Sequence, residues 1–465
     1  MKLKGLRFVW HKNMLLGFIM VLLCTAVSIP TATKAAPSEL TGPGWIVATY
    51  QEYIVDGTDT YGATGIRMLN TYTNKVYGPF LVDEFAVYDE ITGDRLSNSL
   101  FDVVVTPDYK TAIVSDFGNS LIHFVDISEP LKPTYLSRVK IDMFAEDLAL
   151  SPDGHFVLVT DGGFAPHIYV IDVQTRTTVY QLVLPSFPDF TGEGFNNGYA
   201  NAVDIAPDGT VIVADYFNGS IHTLLLEEDG KLTFTGTHRY YLTDEGEITH
   251  TFSADIELMR PVNVAIAPDG QTVLVSNVGT YTDTTQEQYT KQYEVGVFQI
   301  TTPGEVEYVD SVINLPRAMQ TITFNESGDK AYMSGNAGYS YDKNATPTEE
   351  YLNDGLYVLD VLGPGEVVFN PDESADLLHY TSSQLFGVDG IAVYEGNAYV
   401  SYPTNSLDGN LYPVRFLSVV DLRTFELTQV YFGLSENFYG PIGLGVRPFY
   451  PKQVFLPILI TGSSE

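Results

Sequence analysis

Residues with oxygen-bearing side chains recur at equivalent places in this sequence, each a few positions before a tight turn. They are Asp102, Glu146 with Asp147, Asn201, Asn263, Gln320 and Asp389. Carboxylate and amide oxygens are the ligands that Ca²⁺ takes, about six to eight at a time. If the fold brings these side chains to one point, the sequence predicts a Ca²⁺ site. The alternative is that they cap loops or solvate a polar channel.

A repeated hairpin carries these residues. An apolar run, a turn such as Pro-Asp-Gly and a second apolar run recur, with copies that begin at Phe101, Glu146, Asn201, Asn263, Gln320 and Asp389. Pro presets φ for the turn, and Asp-Gly supplies a side-chain acceptor and a positive φ. A further strand pair follows each hairpin. The unit is therefore four antiparallel strands in roughly 45–68 residues, which is typical of β-propeller blades.

The two ends of the chain supply one more blade. Six full units run from about Phe101 to Phe432, and Gly440–Pro448 is predicted as a further inner strand. Near the N-terminus, "GWIVATY" and "GIRMLNTYT" are predicted as its second and third strands. A blade shared between the ends closes the ring and hides its edge strands. We predict an all-β, seven-bladed propeller over residues 37–448, with six or eight blades as the alternatives.

Two of the repeats resemble known repeat families. "HIYVIDVQTRTTVYQLVLP" and "SPDGHFVLVTD" are similar to the YVTN-type repeats of exported and surface-layer β-propellers. "IHFVDISEPLKPTYL" resembles the related LVIVD repeat. The resemblance covers nearly all of the chain after residue 36. It implies the propeller fold, which hosts binding modules and enzymes alike.

A second resemblance concerns the polar positions. "VNVAIAPDGQTVLVSN" and "VDGIAVYEGNAYVSY" look like segments of calcium-dependent lactonases of the gluconolactonase and senescence-marker type. That family has a Glu, two Asn and an Asp as metal ligands, and Glu146, Asn201, Asn263 and Asp389 match this order. The resemblance implies Ca²⁺ and a lactone or ester hydrolase. The sequence departs from the family at Val264, where a glycine is expected, and in its number of blades.

The long connections are predicted to lie on one face of the propeller. The turns between first and second strands are short, as are those between third and fourth strands. Long segments fall between second and third strands and between blades. Because long ordered loops on a rigid scaffold are usually functional, we predict a binding face for a protein, a glycan or a small molecule. Its aromatic residues are Tyr53, Tyr61, Tyr281, Tyr289, Tyr339, Tyr341, Tyr351, Tyr402 and Tyr412.

The N-terminus has the pattern of a secretory signal peptide. Residues 1–36 contain five Lys or Arg residues, no Asp or Glu, and an apolar run Met14–Val27. This run is short for a membrane span. We therefore predict an exported or cell-surface protein without an integral span after cleavage, and a C-terminal strand or tail at 449–465. The only cysteine, Cys24, lies in this run, so disulfides are not expected.

Charge and missing motifs limit the possible functions. The formal net charge of −34 argues against nucleic acid as a partner, because phosphate binding requires Lys and Arg. The sequence has no Gly-x-Ser-x-Gly elbow and no His-Glu-x-x-His motif. We predict packed or surface roles for His123, His167 and His222. The leading hypothesis is a non-catalytic binding module. A metal-dependent lactonase and a structural surface-layer component are the alternatives.

Overall fold

The computed structural model describes residues 44–447, apart from 57–58, 97–98, 143, 163–165, 186–197, 217, 240, 243–247, 250–256, 280, 283–287, 290–292, 313–314, 316–317, 337–352, 380–389, 402–415, 432–437 and 440–443. The described elements are β-strands, and among the described residues no helix could span a bilayer. The compact unit Pro43–Pro448 contains all of these strands. The predicted signal peptide and the segment 449–465 lie outside the described residues.

The strands form seven blades, which confirms the predicted fold class. Each blade is named here from its inner strand outward.
The first blade consists of β33 (Leu444–Arg447), β1 (Trp45–Asp56), β2 (Asp59–Asn70) and β3 (Lys75–Phe80). The second consists of β4 (Leu100–Val105), β5 (Thr111–Asp116), β6 (Leu121–Asp126) and β7 (Thr134–Lys140). The third consists of β8 (Ala145–Leu150), β9 (Phe156–Asp161), β10 (His167–Asp172) and β11 (Thr177–Val183).

The remaining blades follow the same order.
The fourth consists of β12 (Ala200–Ile205), β13 (Thr210–Asp215), β14 (Ser220–Leu226) and β15 (Leu232–Arg239). The fifth consists of β18 (Glu257–Ile266), β19 (Thr272–Gly279), β22 (Tyr293–Thr302) and β23 (Glu305–Val312). The sixth consists of β24 (Ala318–Phe324), β25 (Lys330–Asn336), β26 (Asn353–Gly363) and β27 (Glu366–His379). The seventh consists of β28 (Gly390–Tyr394), β29 (Asn397–Ser401), β30 (Phe416–Asp421) and β31 (Leu427–Tyr431).

Five short strands among the described residues lie outside the four-stranded blades. They are β16 (Tyr241–Leu242), β17 (Ile248–Thr249), β20 (Tyr281–Thr282), β21 (Gln288–Tyr289) and β32 (Phe438–Tyr439). β16 pairs with β17 and β18, β20 pairs with β21, and β32 pairs with β1.

The ring closes through the two ends of the chain, as the sequence predicts. β33 pairs with β1 in an antiparallel register from Trp45 opposite Arg447 to Ala48 opposite Leu444. Neighbouring inner strands contact each other around the ring in the order β33, β4, β8, β12, β18, β24, β28 and back to β33. The fourth strand of this shared blade, β3, is not part of the sequence prediction.

Each sheet packs both of its faces against a neighbouring blade. In β13, Val211 and Val213 join the apolar cluster shared with the third blade, whereas Ile212 and Ala214 join the cluster shared with the fifth. All four side chains are fully buried. Alternate residues of a strand point to opposite faces. An uninterrupted apolar strand is therefore what a sheet buried on both sides requires.

The Pro-Asp-Gly turns also connect the blades. The carboxylates of Asp153, Asp208 and Asp269 accept backbone N–H bonds two residues further along the chain. Gly154 and Gly270 have φ values of +71° and +72°. A Cβ at Gly154 would lie 2.5 Å from Cδ of Pro107, the turn proline of the preceding blade, and Gly270 meets Pro207 in the same way at 2.9 Å. The glycine is thus required for its φ and for contact with the neighbouring blade.

We expect Gly154→Ala to destabilise the protein more than Gly396→Ala. Both glycines have positive φ, at +71° and +75°, but a Cβ at Gly396 meets no atom within 4 Å. Gly396→Ala is therefore the control, and its loss of stability reports only the cost of a left-handed backbone at a residue with a Cβ, about 1–2 kcal/mol. Overpacking against Pro107 adds a further ~1–3 kcal/mol in Gly154→Ala. Urea unfolding of both variants checks this, and equal losses of stability would contradict the interblade role.

Candidate functional site

The two faces of the ring differ in the length of their connections. We call the face at which the inner strands begin the loop face. On the opposite face, the turns between strands of one blade contain at most seven residues, the longest being 127–133 between β6 and β7. On the loop face, the connections 184–199, 280–292, 337–352 and 402–415 contain 13 to 16 residues. The strand bounds thus place the long connections on one face, as the sequence predicts.

Four of the predicted tyrosines lie in described strands of the loop face. Tyr53 and Tyr61 belong to the β1–β2 hairpin, where Tyr61 is opposite Ile54 and Tyr53 is opposite Gly62. Tyr281 lies directly opposite Tyr289 in the β20–β21 pair. The register thus pairs Tyr281 with Tyr289 directly, whereas Tyr53 and Tyr61 occupy successive pairs of the β1–β2 hairpin. Tyr339, Tyr341, Tyr351, Tyr402 and Tyr412 lie outside the described residues.

Polar residues of the inner strands form hydrogen bonds from one blade to the next. Oδ2 of Asp102 accepts from the backbone N–H of Leu148 at 3.2 Å, and Oδ2 of Asp147 accepts from Val203 at 2.8 Å. Oδ2 of Asp204 accepts from Ile266 at 2.7 Å. Oδ1 of Asn263 accepts from Ile322 at 3.0 Å. One acceptor thus crosses each of the four successive boundaries between the second and sixth blades.

A bulge in the inner strand leaves further backbone donors, which side chains of the same blade accept. The register with the second strand shifts between Leu100 and Val103 and again between Ala145 and Leu148. A bulge leaves backbone N–H groups outside the regular ladder. In the second blade, Oγ of Ser115 accepts from the N–H of Asp102 at 2.9 Å. Thr160 does the same for Asp147 in the third blade.

The candidate metal ligands serve different structural purposes in the described part of the chain. Glu146 is buried, whereas Asn201 and Asn263 are half-buried. The amide of Asn201 donates to the carbonyl oxygen of Val262, and Asn263 accepts from Ile322. Gln320 lies in β24, and Asp389 lies outside the described residues. Among the described residues, no group of three or more His, Cys, Asp or Glu side chains is arranged to hold a metal.

The channel carboxyls are difficult to ionise. Asp102, Asp147 and Asp204 are half-buried, with protein around much of each carboxyl. The resulting desolvation raises the pKa of Asp102 and of Asp204 to about 6, although each accepts two backbone hydrogen bonds that oppose the change. The pKa of Asp147 is raised further, first by desolvation and then by the negative charges of Asp102, Glu146 and Asp204. Repulsion within this group thus adds to the cost of burial.

Buried Asp–His pairs fix the loop-face ends of two blades. In the fourth blade, Oδ2 of Asp215 lies 3.2 Å from Nε2 of His222, whose Nδ1 lies 2.8 Å from Oγ1 of Thr237. Oδ1 of Asp215 accepts from the N–H of Tyr199 at 2.8 Å, and Oδ2 accepts from the amide of Asn218 at 2.6 Å. The carboxylate and imidazole are fully buried. This arrangement therefore supports a structural role.

The second blade repeats this arrangement with Asp116, Asn119, His123 and Tyr135. Burial lowers the pKa of His123, although Asp116 acts in the opposite direction. The structure agrees with the packed role predicted for His123 and His222. The carboxylate and amide partners were not recognised in the sequence. The spacing Asp-x-x-Asn-x-x-x-His, present at Asp116 and again at Asp215, could have revealed them.

The loop-face ends of the second to fifth blades carry an arc of aromatic residues beside the channel. Sequence reasoning also missed this arc. We call Phe101, Phe117, Phe144, Tyr199, Tyr216 and Arg260 the rim arc. Phe117 lies 5.8 Å from Phe101 and stacks on Phe144 at 4.8 Å, measured between ring centroids. At the next blade boundary, a Cβ at Gly162 would lie 3.0 Å from both Phe117 and the hydroxyl of Tyr199, and would overlap the carboxylate of Glu146.

The rim arc ends in a cation. The guanidinium carbon of Arg260 lies 5.2 Å from the centroid of the Tyr216 ring, a distance at which a cation is attracted to the ring face. Tyr216 follows Asp215 directly, and its N–H bonds to the carbonyl of Tyr199 at 2.9 Å. The N–H of Phe117 bonds to Ser99 in the same way, at 2.8 Å. The buried carboxylates of Asp116 and Asp215 thus hold the chain segments that carry Phe117, Tyr199 and Tyr216.

The fold and this site define a seven-bladed β-propeller with a loop-rich face around a polar channel. No family model and no curated protein matches the sequence. Among solved structures, a functionally unknown protein from Desulfotomaculum acetoxidans is similar with a TM-score of 0.53 and 12% identity, over 87% of this chain and 98% of that one. A periplasmic gluconolactonase of Pseudomonas aeruginosa has a TM-score of 0.52 and 11% identity, over 87% and 99%.

A crystal structure of a putative 6-phosphogluconolactonase from Bacteroides fragilis is similar too, with a TM-score of 0.50 and 13% identity, over 88% of this chain and 99% of that one. At such identities, structural likeness shows the fold alone. The assignment of the YVTN and LVIVD repeats stays a prediction.

A buried carboxyl in the fifth blade makes the stability of the protein dependent on pH. Burial raises the pKa of Glu294 to about 8, although bonds to Ser311 and Asn277 act in the opposite direction. A carboxyl whose pKa is higher in the folded state stabilises the protein below its unfolded pKa. This contribution is lost as pH rises from about 4.5 to about 8.

We therefore expect Glu294→Gln to match the wild type near pH 4.5 and to be more stable at pH 9. Gln imitates the protonated carboxyl and keeps an oxygen for Asn277, which donates to Oε1 at 3.2 Å. Since one pKa unit corresponds to about 1.4 kcal/mol, the gain at pH 9 should reach a few kcal/mol. Urea unfolding across this range measures it. Glu307→Gln, at an exposed position of the same blade, is the control, and equal pH profiles for all three proteins would refute the assignment.

Proposed function

We propose that this chain is a binding protein that acts outside the cell and contacts its ligand through the loop face. The asymmetry of the connections carries the proposal. Connections of 13 to 16 residues lie on the loop face, while the turns between strands of one blade on the other face have at most seven. Insertions cost little entropy wherever they occur in a surface loop. Restriction of the long ones to one face therefore supports a functional surface.

The ring provides a rigid support for such a surface. Apolar clusters lie at all seven blade boundaries, and inner-strand acceptors cross four of them. Loops attached to this frame begin and end at fixed positions. Less conformational freedom is then lost when a ligand binds, which favours affinity. Export is supported by the basic and apolar pattern of residues 1–36.

We expect ligand binding to be lost when loop-face connections are shortened. In two variants, 280–292 or 337–352 is replaced by a four-residue Asn-Gly turn. In the control, the opposite-face turn 227–231 is replaced by the Pro-Gly of 303–304, which joins β22 to β23. Ligands are first selected by the wild type from a glycan array and a displayed-peptide library, and affinities are then measured by calorimetry.

A loss of at least tenfold in one loop-face variant, with unchanged affinity in the control, is the expected result. The proposal is wrong if the wild type selects no ligand. It is also wrong if the selected ligands lose affinity only in the opposite-face control. Thermal midpoints within a few degrees of the wild type exclude unfolding as the cause.

A metal-dependent lactonase is the second candidate. It is supported by structural neighbours described as a gluconolactonase and a putative 6-phosphogluconolactonase. The chain order of Glu146, Asn201, Asn263 and Asp389 supports it as well. The use of Asn263 as an acceptor for Ile322 weakens it, because that oxygen is already engaged.

The lactonase candidate predicts stoichiometric Ca²⁺ and turnover that depends on Asp389. Elemental analysis of the purified protein and a panel of aldonolactones, assayed with and without chelator, measure both. Asp389→Ala should abolish activity, whereas Asp408→Ala in another loop-face connection should leave it unchanged. A metal-free protein without turnover removes this candidate and leaves the binding proposal standing.

A further inference from the structure

The rim arc presents aromatic surface to solvent beside the channel. Phe101, Phe117, Tyr199 and Tyr216 are half-buried, and Phe144 is 38% exposed. The arc continues across three blade boundaries, through the Phe117–Phe144 stack, the contact of Gly162 with Tyr199 and the Tyr216–Arg260 pair. A rigid row of aromatic faces of this kind suits the recognition of an extended chain.

Acidic residues adjoin the arc in the sequence and predominate in the loop-face connections. Asp102 follows Phe101, and Asp147 follows the buried Glu146 that reaches Gly162. No described Lys or Arg side chain forms an ion pair with Asp102, Asp147 or Asp204. Thirteen Asp or Glu residues and three Lys or Arg residues lie in the loop-face connections 184–199, 240–256, 280–292, 337–352, 380–389 and 402–415. This field repels anions and attracts cations.

The fifth blade shows how a cation fits the arc. Arg260 lies in β18, and its guanidinium carbon is 5.2 Å from the centroid of the Tyr216 ring. At the boundary between the second and third blades, the place corresponding to Arg260 is taken by Phe144, and no cation from the described residues is recorded over the rings of Phe117 and Phe144. Guanidinium groups are weakly hydrated and stack well on such rings.

We infer that the rim arc binds a basic segment of a partner protein, with arginine side chains stacked on Phe101, Phe117 and Phe144 above the channel carboxylates. This inference rests on the proposed binding function of the loop face and names its class of partner. Charge complementarity selects the partner. An acidic chain or an anionic glycan is repelled, and a neutral glycan can donate hydrogen bonds to the carboxylates but gains no attraction between opposite charges.

The probe is an acetylated and amidated peptide of eight arginines, compared with eight lysines, eight glutamates and a neutral chitohexaose. Binding is measured by calorimetry at low salt and at 0.5 M NaCl. Phe144→Leu keeps apolar bulk but removes the ring. Phe234→Leu is the matched control, because Phe234 is 39% exposed but lies on the outer strand β15. The midpoint of thermal unfolding shows whether each variant is folded as the wild type is.

We expect the arginine peptide to bind more tightly than the lysine peptide, and Phe144→Leu to weaken it by about 3- to 30-fold. Phe234→Leu should leave it unchanged. Equal binding of both basic peptides, together with equal affinity in both variants, would mean a general attraction to an acidic surface and would overturn the inference. Tighter binding of chitohexaose than of the arginine peptide would overturn it as well.

The two proposals can fail separately. If ligands selected by the wild type lose affinity when 280–292 or 337–352 is shortened but keep it in Phe144→Leu, the loop-face function stands and the basic partner is wrong. If shortening has no effect on the selected ligands but Phe144→Leu still weakens the arginine peptide, the rim arc binds basic chains without the long connections.

Discussion

The structure depends on the burial of both faces of every blade. A four-stranded sheet such as β12–β15 has apolar residues on both sides, and it is stable only when a neighbour covers each of them. Seven clusters meet this need, one at each blade boundary. Each buried Val, Leu or Ile side chain contributes about 1.5–3 kcal/mol. An open row of blades would expose two such faces, so closure of the ring by β33 and β1 is a condition for the stability of the whole.

Closure also concentrates polar groups around the channel. The inner strands approach one another there. Asp102, Asp147, Asp204 and Asn263 accept backbone N–H groups of the next blade. Desolvation raises the pKa of Asp102, Asp147 and Asp204, and the neighbouring carboxyls raise that of Asp147 further. Structural hydrogen bonding thus explains much of the acidic pattern that first suggests a metal site.

Stability and binding are connected at the loop face. Buried Asp116 and Asp215 hold the residues that precede the inner strands and follow the second strands. These residues include Phe117, Tyr199 and Tyr216 of the rim arc. A rim positioned by buried, fully bonded carboxylates keeps its shape without a ligand. This property suits a surface that recognises a partner by stacking, because few side chains must be ordered on binding.

The sequence by itself determined the architecture. The spacing of Pro-Asp-Gly turns, the uninterrupted apolar strands and the split blade at the two ends led to seven blades and to the face that carries the long connections, because these properties depend on local turn chemistry and strand periodicity. The partners of individual side chains were decided only by the tertiary structure. Asp204 and Ile266 are separated by 62 residues, yet they bond across a blade boundary. The Phe117–Phe144 stack and the contact of Gly162 with Tyr199 likewise join residues whose meeting depends on how adjacent blades are rotated and staggered. No local pattern encodes that geometry, since it follows from the closure of the ring.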